Sequence, residues 1–425
     1  MQSVLLSSFC PNPDGKKDNT KEIQAALMEA GKVKGKLIFE SGKTYRSGML
    51  IIPSDVELHF EKGSLLMMSD DLSLLDPKKA FAGSSMSVPS YVNCDYNGQP
   101  TLFFLYAKDA KNISITGEGT IDGNETIFYG ESSDTFIDGA FYPRVPLLFF
   151  ENVEHVFIGG VTFQRSAFWT THLVGCKDVH IKGLKIRNNL LLANCDGIDP
   201  DHCQNVLIED CDIVCADDAI VFKTTEANQK YGPCKDIKVR HCRLSTTSAA
   251  IKFGTESWSD FAEIFIRDID VLRCNRGISF QLRDQGNIHD IHFENIRIES
   301  MLFDPKVWWG KSEPIAITAL PRTPKTKLGV ISNVTFKNIT SSSENGIFLY
   351  GDPKGNSIHD IHFDNVRCLY KRKTKWPNRF RDLRPGQGWE VYEEKPSAIS
   401  LHNVKDIDTT GFQYKLDSVN PPELD

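Results

Sequence analysis

The chain has 425 residues and a net charge of −7, from 49 lysine and arginine residues against 56 aspartate and glutamate residues. This acidic balance argues against nucleic acid or an anionic membrane surface as a partner, and no apolar run approaches the roughly 18 residues of a membrane span. The length exceeds that of a usual compact domain, which a repeat fold allows because each repeat packs only on its neighbours.

The N-terminal segment from Met1 to Phe9 has no basic start, no long apolar stretch and no small-residue cleavage site. It therefore does not read as an export signal. Two compartments stay open: the cytoplasm is expected if Met1 is the native start, and a secreted or periplasmic location is expected if a signal was removed.

The segment from Asn19 to Ala30 predicts an amphipathic helix, with Ile23, Leu27 and Ala30 on one side. Asn19 is the expected cap and Gly31 the expected stop. A solenoid leaves open strand edges at its end, and we expect this helix to cover them.

A short phrase recurs along the rest of the chain: Asn or Asp, a β-branched residue, any residue and another apolar residue. The alternation predicts strands with one buried face. Periods in the twenties are typical of a solenoid built coil by coil, so the sequence predicts an all-β fold, a parallel β-helix. The first apolar position returns at steps of 23, 27, 31, 27 and 27 residues, at Val156, Val179, Val206, Ile237, Ile264 and Ile291.

The regular repeats predict one β-helix domain over residues 1–425, with the capping helix at about 19–30. Long gaps between the repeats, and a stretch rich in Lys, Arg, Pro and Gly near the end, predict three loop insertions. We expect these loops at about 122–150, 300–330 and 366–395, on the flank of a groove.

Three aspartates carry the strongest functional signal. Asp196 and the pair Asp217 and Asp218 lie about one repeat apart, and strands of neighbouring coils are roughly 4.8 Å apart. Aligning the coils on Ile198 and Ile220 places Asp196 beside Asp218, with Asp217 next to both. Carboxylates that close repel each other, and crowding is expected to raise the pKa of one of them. The pattern indicates the acid and base of a glycosidase, whereas the alternative is polar turn residues.

Arg276 falls in the same column as Asp196 and Asp218, and other polar residues are further candidates. Lys223 and Arg276 are candidates for holding a substrate carboxylate or hydroxyl groups, and the alternative is that both are solvated on a strand face. His172 is a candidate for substrate contact, or it satisfies backbone groups at a strand end.

Aromatic residues supply a second set of candidates. Trp169, Trp308 and Trp309 are placed to stack on sugar rings, or else they pack under a loop. Glu313 follows closely in the same predicted insertion, and we expect it to reach the groove.

Eleven cysteines are an odd number, so at least one thiol has no partner within the chain. Several recur at matching places in successive repeats and are expected to be small buried apolar groups, although neighbouring coils come within disulfide range. Cysteines and histidines do not fall at zinc spacing. We expect neither a structural metal nor a cofactor.

These features resemble glycoside hydrolase family 28, the polygalacturonase family, over most of the chain. The paired aspartates match a pair in that family, and Asn194, Cys195 and Asp196 stand where the family has Asn-Thr-Asp. Three further segments are similar to family signatures, namely Asp14 to Gln24, Gly117 to Gly123 and Ser166 to His172.

The resemblance implies a right-handed single-stranded parallel β-helix of the pectin-lyase-like class. It also implies an inverting, single-displacement hydrolase in which Asp217 is the general acid, and Asp196 and Asp218 hold the nucleophilic water as the base. Asn194 is implied as a substrate contact.

Two departures from the family pattern concern substrate recognition. The family's Gly-His-Gly motif corresponds to a stretch in which Ala249 takes the histidine position, and its Arg-Ile-Lys motif corresponds to one that ends at Gln281. Gln281 is therefore a candidate substrate contact. Lys252, Glu256 and Arg276 are candidates for compensating for the lost groups, while the alternative for Lys252 and Glu256 is an ordinary surface pair.

We expect hydrolysis of a galacturonic-acid-containing pectic polysaccharide or oligosaccharide, of rhamnogalacturonan type rather than plain homogalacturonan. Large insertions beside the groove favour exo action, and a monomer or weak oligomer is expected. Two alternatives stay open. One is a Ca²⁺-dependent polysaccharide lyase, in which the aspartates bind the ion and Arg276 is the base. The other is a non-catalytic carbohydrate-binding solenoid.

Overall fold

The structure is a computed structural model that describes residues 2–11, 13–76, 102–138 and 144–421. The chain divides into two compact units, Met1–Ile213 and Val214–Asp425. Parallel strands are the main element of both units, so the fold class is the predicted all-β parallel β-helix. A single domain over residues 1–425 stays a prediction.

The first unit has one α-helix among its described residues, α1 (Thr20–Lys32). Short 3-10 helices lie at Leu6–Ser8, Leu72–Leu74 and Glu125–Phe128. Its strands are β1 (Ser3–Leu5), β2 (Asp14–Asp18), β3 (Lys36–Phe39), β4 (Thr44–Ser47), β5 (Leu50–Ile51), β6 (Val56–Phe60), β7 (Leu65–Met68), β8 (Leu105–Gly117), β9 (Thr120–Asp122), β10 (Pro146–Gly159), β11 (Thr162–Gln164), β12 (Phe168–Val174), β13 (Lys177–Lys182), β14 (Lys185–Arg187), β15 (Ile198–Asp201) and β16 (Gln204–Glu209).

Helix α1 buries the apolar face that the sequence predicts, including Ile23, Leu27 and Ala30. It also covers a strand edge, because the Gln24 side chain donates to the carbonyl of Ile51 in β5 and accepts from its N–H, both at 2.8 Å. No helix of the described ranges is long and apolar enough to cross a membrane.

Both ends of α1 differ in detail from the prediction. Asn19 takes the N-cap position, but its side chain makes no capping hydrogen bond. The carboxylate of Asp18 instead accepts from the N–H of Thr20 at 3.2 Å. The helix continues through Gly31 to Lys32, because the left-handed residue that turns the chain away is Lys34, with φ of 47°.

The predicted repeat spacing is confirmed within the first unit. Strands β6, β8, β10, β13 and β16 pair in parallel, and their apolar side chains lie one above another because the same position of each strand is in register and buried. The residues in register are Val56, Ile113, Val156, Val179 and Val206.

Strand β17 (Asp212–Cys215) spans the boundary between the units along the chain. In the second unit, residues Glu226–Tyr231 form a 3-10 helix. Its strands are β18 (Ile220–Thr224), β19 (Cys234–Arg240), β20 (Arg243–Thr246), β21 (Ala249–Ser257), β22 (Phe261–Cys274), β23 (Arg276–Leu282), β24 (Ile288–Ser300), β25 (Ile315–Ala319), β26 (Ile331–Ser343), β27 (Ile347–Gly351), β28 (His359–Tyr370), β29 (Phe380–Asp382), β30 (Val391–Glu393), β31 (Ile399–His402), β32 (Lys405–Asp408) and β33 (Phe412–Leu416).

The second unit repeats the same stacking. Its interior contains a column of phenylalanines, in which the ring centroids of Phe222 and Phe253 are 4.8 Å apart and those of Phe253 and Phe280 are 4.6 Å apart. The apolar positions of the repeat are again in register, at Ile237, Ile264, Ile291, Val334, Ile361 and Ile407.

The predicted loop insertions contain more strand than expected. Strand β25 lies inside the insertion expected at 300–330 and pairs with β23, which leaves two separate loops. All five residues of β25 are buried, so the alternation that reveals a strand is missing. The 122–150 insertion runs into β10, and its residues 139–143 lie outside the described residues.

The 366–395 insertion begins within β28 and contains a β-hairpin, formed by the antiparallel strands β29 and β30. We call residues 380–393 the hairpin. Leu383 packs in an apolar cluster with Leu320 and Phe348. Arg283, which is fully buried, donates to the carbonyls of Leu383 at 3.0 Å and Pro385 at 2.7 Å. The hairpin is therefore held against the strands of the second unit.

The cysteines of the described ranges are buried thiols, as the repeat pattern predicts, while Cys94 lies outside those ranges. Burial raises the pKa of Cys10 and of Cys368 to about 11. These thiols are protonated at neutral pH. The buried residues are Cys10, Cys176, Cys195, Cys203, Cys211, Cys215, Cys234, Cys242, Cys274 and Cys368.

Candidate active site

Within the second unit, the strands align the predicted columns. Ile220 pairs with Ile251, and Ile251 pairs with Ile278. One residue further along, Lys252 stands between Val221 and Ser279 in register, as the column alignment predicts for this part of the chain. Because the columns are correct, each polar residue on β21 and β23 can be related to the aspartate pair that precedes β18.

Asp218 is held by several groups of the next coil. It is 1% exposed, and its Oδ2 lies 2.7 Å from the Nζ of Lys252. Its Oδ1 accepts from the hydroxyl of Ser248 at 2.8 Å and from the N–H of Ala249 at 3.1 Å. Both oxygens therefore accept hydrogen bonds from the next coil.

The groups around Asp218 determine its charge. Burial raises its pKa, but the charges of Lys252 and Lys223 and the hydrogen bonds from Lys252 and Ser248 outweigh burial and hold the pKa below its ordinary value. Hydrogen bonds donated to a carboxylate favour its ionised form. Asp218 is thus an anion at neutral pH.

Asp217 is half-buried next to it, and its Oδ1 accepts from the N–H of Asp218 at 3.0 Å. Its backbone carbonyl accepts hydrogen bonds from the hydroxyl of Thr246 and from the thiol of Cys215. The backbone of the pair is therefore fixed, and Asp217 as a residue is only partly buried. Two adjacent carboxyl groups with different surroundings are what a separate acid and base require.

Lys223 and Glu256 lie at a bulge between β18 and β21. Phe222 pairs with Phe253, but Thr224 pairs with Ser257, so Lys223 alone faces three residues of the other strand. Both Lys223 and Glu256 are buried. Because Lys252 bonds to Asp218 and Glu256 is buried, the two do not form an exposed surface pair; contact of these residues with substrate stays a prediction.

Arg276 and Glu313 form a buried ion pair. Arg276 stands in register with Ala249; its Nε lies 3.3 Å from Oε2 of Glu313, and its Nη2 donates to the carbonyl of Asp382 at 3.0 Å. Glu313 also accepts from the N–H of Lys311 at 2.8 Å. The structure thus brings together two predicted residues that are 37 positions apart.

The hairpin engages Gln281 and lies beside Trp309. The side-chain amide of Gln281 donates to the carbonyl of Arg384 at 3.1 Å. Trp309 is 45% exposed, and the guanidinium carbon of Arg384 lies 4.7 Å from its ring centroid. Trp308 is buried, which fits the packing alternative. The predicted substrate contacts of Gln281, Trp308 and Trp309 stay predictions.

In the first unit, Asn194 and Asp196 lie on the turn before β15. Asn194 has φ of 62° and accepts from the guanidinium of Arg144. Asp196 is buried, and its carbonyl accepts from the N–H of Thr170 at 3.0 Å. The side chain of Asn188 donates to the carbonyl of Cys195 at 3.0 Å. The Asn-Cys-Asp segment therefore has a fixed backbone.

His172 and Trp169 pack together in the same unit. Their rings meet edge to face at 4.8 Å, and Phe168 stacks on Trp169 at 5.1 Å. The Nε2 of His172 lies 3.3 Å from Oδ2 of Asp201, and both residues are buried. For Trp169 these contacts are those of the packing alternative. His172 meets a buried carboxylate, which its predicted alternative of satisfying backbone groups does not include. Substrate contact of both residues stays a prediction.

Several partners were not identified from the sequence. Ser248 is adjacent to Ala249 in the column alignment, so a hydroxyl at that place was a usable signal. Arg144, Asp201, Asp382 and Arg384 gave none, because they lie on loops or in positions that show no periodicity.

Comparison with known proteins places these observations in a family context. The model of "Glycosyl hydrolases family 28" matches residues 70–380. A probable polygalacturonase from Vitis vinifera is 26% identical over 314 residues, which cover 70% of this chain and 61% of that protein. The chain thus spans less than two thirds of that relative.

Two further similarities cover more of both proteins. An endo-polygalacturonase from Pectobacterium carotovorum subsp. carotovorum is 23% identical over 365 residues, or 82% of this chain and 83% of that protein. The solved structure of a hyperthermoactive exopolygalacturonase from Thermotoga maritima superposes with a TM-score of 0.71 at 18% identity, covering 96% of this chain and 92% of the other. The structural likeness is one of fold.

Proposed function

The chain belongs to glycosyl hydrolases family 28 and is a glycoside hydrolase, and we propose that it cleaves glycosidic bonds in galacturonic-acid-containing pectic polysaccharide or oligosaccharide with inversion. Asp217 is the proposed general acid, and Asp196 and Asp218 are the proposed base residues. The observation that carries the proposal is the set of three donors on the Asp218 carboxylate, next to the half-buried Asp217.

The proposed reaction is a single displacement. Asp217 gives its proton to the glycosidic oxygen as the bond from that oxygen to the anomeric carbon breaks. A water molecule attacks the same carbon from the opposite face and loses its proton to the base carboxylates. Lys252 supports this division of roles, because a cation 2.7 Å from Asp218 keeps that carboxylate ionised and able to orient water.

The same contact argues against the calcium-dependent lyase. A bound Ca²⁺ is held by carboxylate and carbonyl oxygens, and in this chain the candidate ligands are Asp196, Asp217 and Asp218. The ammonium group of Lys252 already occupies one side of the Asp218 carboxylate. A divalent cation at that carboxylate would face direct repulsion from Lys252.

We propose a rhamnogalacturonan-type substrate and exo action as the finer specificity. Ala249 and Gln281 support the rhamnogalacturonan-type substrate. Ala249 stands where the family pattern has a histidine, and Gln281 stands where it has the lysine of Arg-Ile-Lys, so neither position supplies a basic group. The side-chain amide of Gln281 also donates a hydrogen bond to the hairpin backbone. The hairpin and the loops around β25 support exo action, since structures added beside a groove restrict access along it.

Digestion of a glycan panel tests the proposal. The panel contains homogalacturonan, rhamnogalacturonan and xylan, each as polymer and as short oligosaccharide, with and without EDTA. We expect reducing ends from the rhamnogalacturonan-type substrates, no absorbance from a new double bond and no effect of EDTA. Proton NMR of the first product is expected to show the inverted anomer.

The outcomes separate the candidate functions. An unsaturated product that disappears with EDTA would favour the lyase. Binding of the glycans without turnover, unchanged in an Asp217→Asn variant, would favour a carbohydrate-binding solenoid. Cleavage of homogalacturonan alone would contradict the inference from Ala249 and Gln281 while leaving the hydrolase assignment intact.

A further inference from the structure

An arginine and a tryptophan form an exposed pair on the second unit, outside the proposed acid and base. The guanidinium carbon of Arg384 lies 4.7 Å from the ring centroid of Trp309. The Trp309 ring is 45% exposed, and the Arg384 side chain is 26% exposed. A cation at one face of an indole ring strengthens the pair, and an exposed indole is a surface on which a sugar ring can stack.

The position of Arg384 is fixed from both sides. Asp382 binds its guanidinium through both carboxylate oxygens, with Oδ1 2.9 Å from Nε and Oδ2 2.6 Å from Nη2. The backbone carbonyl of Arg384 accepts a hydrogen bond from the side chain of Gln281 at 3.1 Å. The carbonyl of the next residue, Pro385, accepts one from Arg283 at 2.7 Å. A guanidinium held in this way loses little conformational freedom when it binds a ligand.

The pair stands in a cluster of ion pairs in which one nitrogen of Arg384 has no protein partner within the described ranges. Arg276 lies 3.3 Å from the carboxylate of Glu313. The carboxylate of Asp382 has two cations beside it, Lys311 at 3.6 Å and Arg384 at 2.6 Å. These three cations face three carboxylates, because the charge of Glu390 also acts on Arg384. Among the described residues, Nη1 of Arg384 donates to no protein group, so its donors remain for a ligand.

A series of contacts along the stack of coils connects the pair to the proposed base residue Asp218. The N–H of Ala249 donates to Asp218, and Ala249 pairs with Arg276 on the next coil. Arg276 then donates to the carbonyl of Asp382, two residues before Arg384. Two coil spacings, roughly 10 Å, separate Asp218 from the coil of Arg276, and Arg384 lies beyond that coil on the hairpin. A substrate of several sugar residues would extend from the proposed acid and base to the pair.

We propose that Arg384 and Trp309 form a uronate-binding site, in which Nη1 of Arg384 binds the carboxylate of a substrate residue and Trp309 stacks on a sugar ring. The site rests on the proposed function, because it assigns an acidic sugar of the same substrate. It supplies a positively charged recognition group from the hairpin, which compensates for the neutral side chain of Gln281 on β23.

Equilibrium binding tests this site independently of turnover. Asp217→Asn serves as the background, and calorimetry measures the affinity for a short rhamnogalacturonan oligosaccharide, which contains galacturonic acid, and for its methyl ester. We expect the background variant to prefer the acid. Adding Arg384→Gln is expected to weaken binding of the acid by roughly 10- to 100-fold, because that is the change in affinity expected when a hydrogen bond between charged groups is lost. Binding of the ester is expected to stay nearly unchanged.

Three further variants separate the roles of the ring, of the charge and of an arginine outside the site. Trp309→Ala is expected to weaken binding of both ligands, and Arg384→Lys is expected to keep part of the preference for the acid. Arg379→Gln removes the same charge from an exposed position just before the hairpin and is expected to change neither affinity. Thermal unfolding of each variant shows whether the fold is retained.

The site and the proposed function fail in different ways. The site is overturned if folded Arg384→Gln binds the acid as tightly as the background variant, or if the background variant binds the acid no better than the ester. The proposed function is overturned if the unmodified protein cleaves no pectic glycan. A preference for the acid that depends on Arg384 would support the site even then.

Discussion

Lys252 places its Nζ 2.7 Å from Oδ2 of Asp218, although the two residues are 34 positions apart in the sequence. Lys252 is on β21, and Asp218 lies two residues before β18, the strand with which β21 pairs. The stacking of two neighbouring coils therefore decides the ionisation state of a proposed base residue. The predictions below follow from contacts of this kind.

Replacing Lys252 with methionine is expected to shift the pH dependence of activity. Lys252 lowers the pKa of Asp218 against the effect of burial. Without its charge, the pKa of Asp218 rises, so Asp218 becomes protonated at a higher pH. The acid limb of the kcat/KM profile is expected to move upward by about 1 to 3 pH units.

The controls for this shift are Lys252→Arg, which keeps the charge, and Lys238→Met, which removes an exposed lysine of the same unit. Both are expected to keep the original acid limb. An unchanged acid limb in Lys252→Met would show that Asp218 does not limit activity at low pH.

Asp217→Asn is expected to lower kcat by about 10³-fold while substrate affinity and thermal stability stay nearly unchanged. The proposed proton donor is lost, and general acid catalysis contributes 10²- to 10⁴-fold. The half-buried side chain keeps its shape as an amide. Steady-state kinetics and thermal unfolding provide the comparison, and retention of most activity would remove Asp217 from the mechanism.

Asp218→Asn is expected to lower both activity and stability. It leaves Lys252 beside a neutral group, and breaking a buried ion pair costs about 3 kcal/mol of unfolding free energy. The depressed pKa of Asp218 gives stability that is present above its unfolded pKa and is lost as pH falls through the folded value. The stability gap between wild type and variant should thus narrow below about pH 4. A gap that is constant with pH would contradict this origin.

Arg283→Met is expected to loosen the hairpin. Arg283 donates to the carbonyls of Leu383 and Pro385, and a buried carbonyl left without its donor costs about 1–3 kcal/mol. Hydrogen exchange measured by mass spectrometry is expected to become faster in residues 380–393. Arg297→Met, which removes an exposed arginine paired with Asp270, is expected to change stability by less than about 1 kcal/mol. Unchanged exchange in the hairpin would show that other contacts hold it.

Gly254→Ala is expected to lower the midpoint of thermal unfolding. Gly254 has φ of 94°, and an added Cβ would lie 2.4 Å from the backbone oxygen of Gln281. Such a conformation costs a residue with a side chain about 1–3 kcal/mol before the clash is counted. Gly355→Ala is the matched control, because a Cβ there meets nothing within 4 Å. Equal midpoints for the two variants would contradict the close approach of β21 and β23.

Periodicity predicted the parts of the molecule that repeat. Residues such as Val179 and Ile264 were placed correctly because a β-helix forces every coil to bury the same position. Lys252 was placed in its column for the same reason. Strand β25 escaped the pattern because both of its faces are buried, and α1 was extended because Lys34, not glycine, adopts the left-handed turn.

Among the contacts that the sequence did not predict are those between a coil and a loop. Gln281 and Arg276 meet carbonyls of the hairpin more than 100 residues away. A loop conformation has no period, and a hydrogen bond to a backbone carbonyl does not depend on which side chain that residue carries. The partners of Arg276 and Gln281 therefore required coordinates.

The buried thiols have a consequence for how unfolding can be observed. Burial raises the pKa of the Cys274 thiol, and a protonated, enclosed thiol reacts slowly with alkylating reagents. Each of the ten cysteines that the structure shows buried becomes reactive only when its own winding separates from the next. Timed alkylation of the cysteine thiols followed by peptide mapping would then show the order in which the windings separate, without any introduced label site.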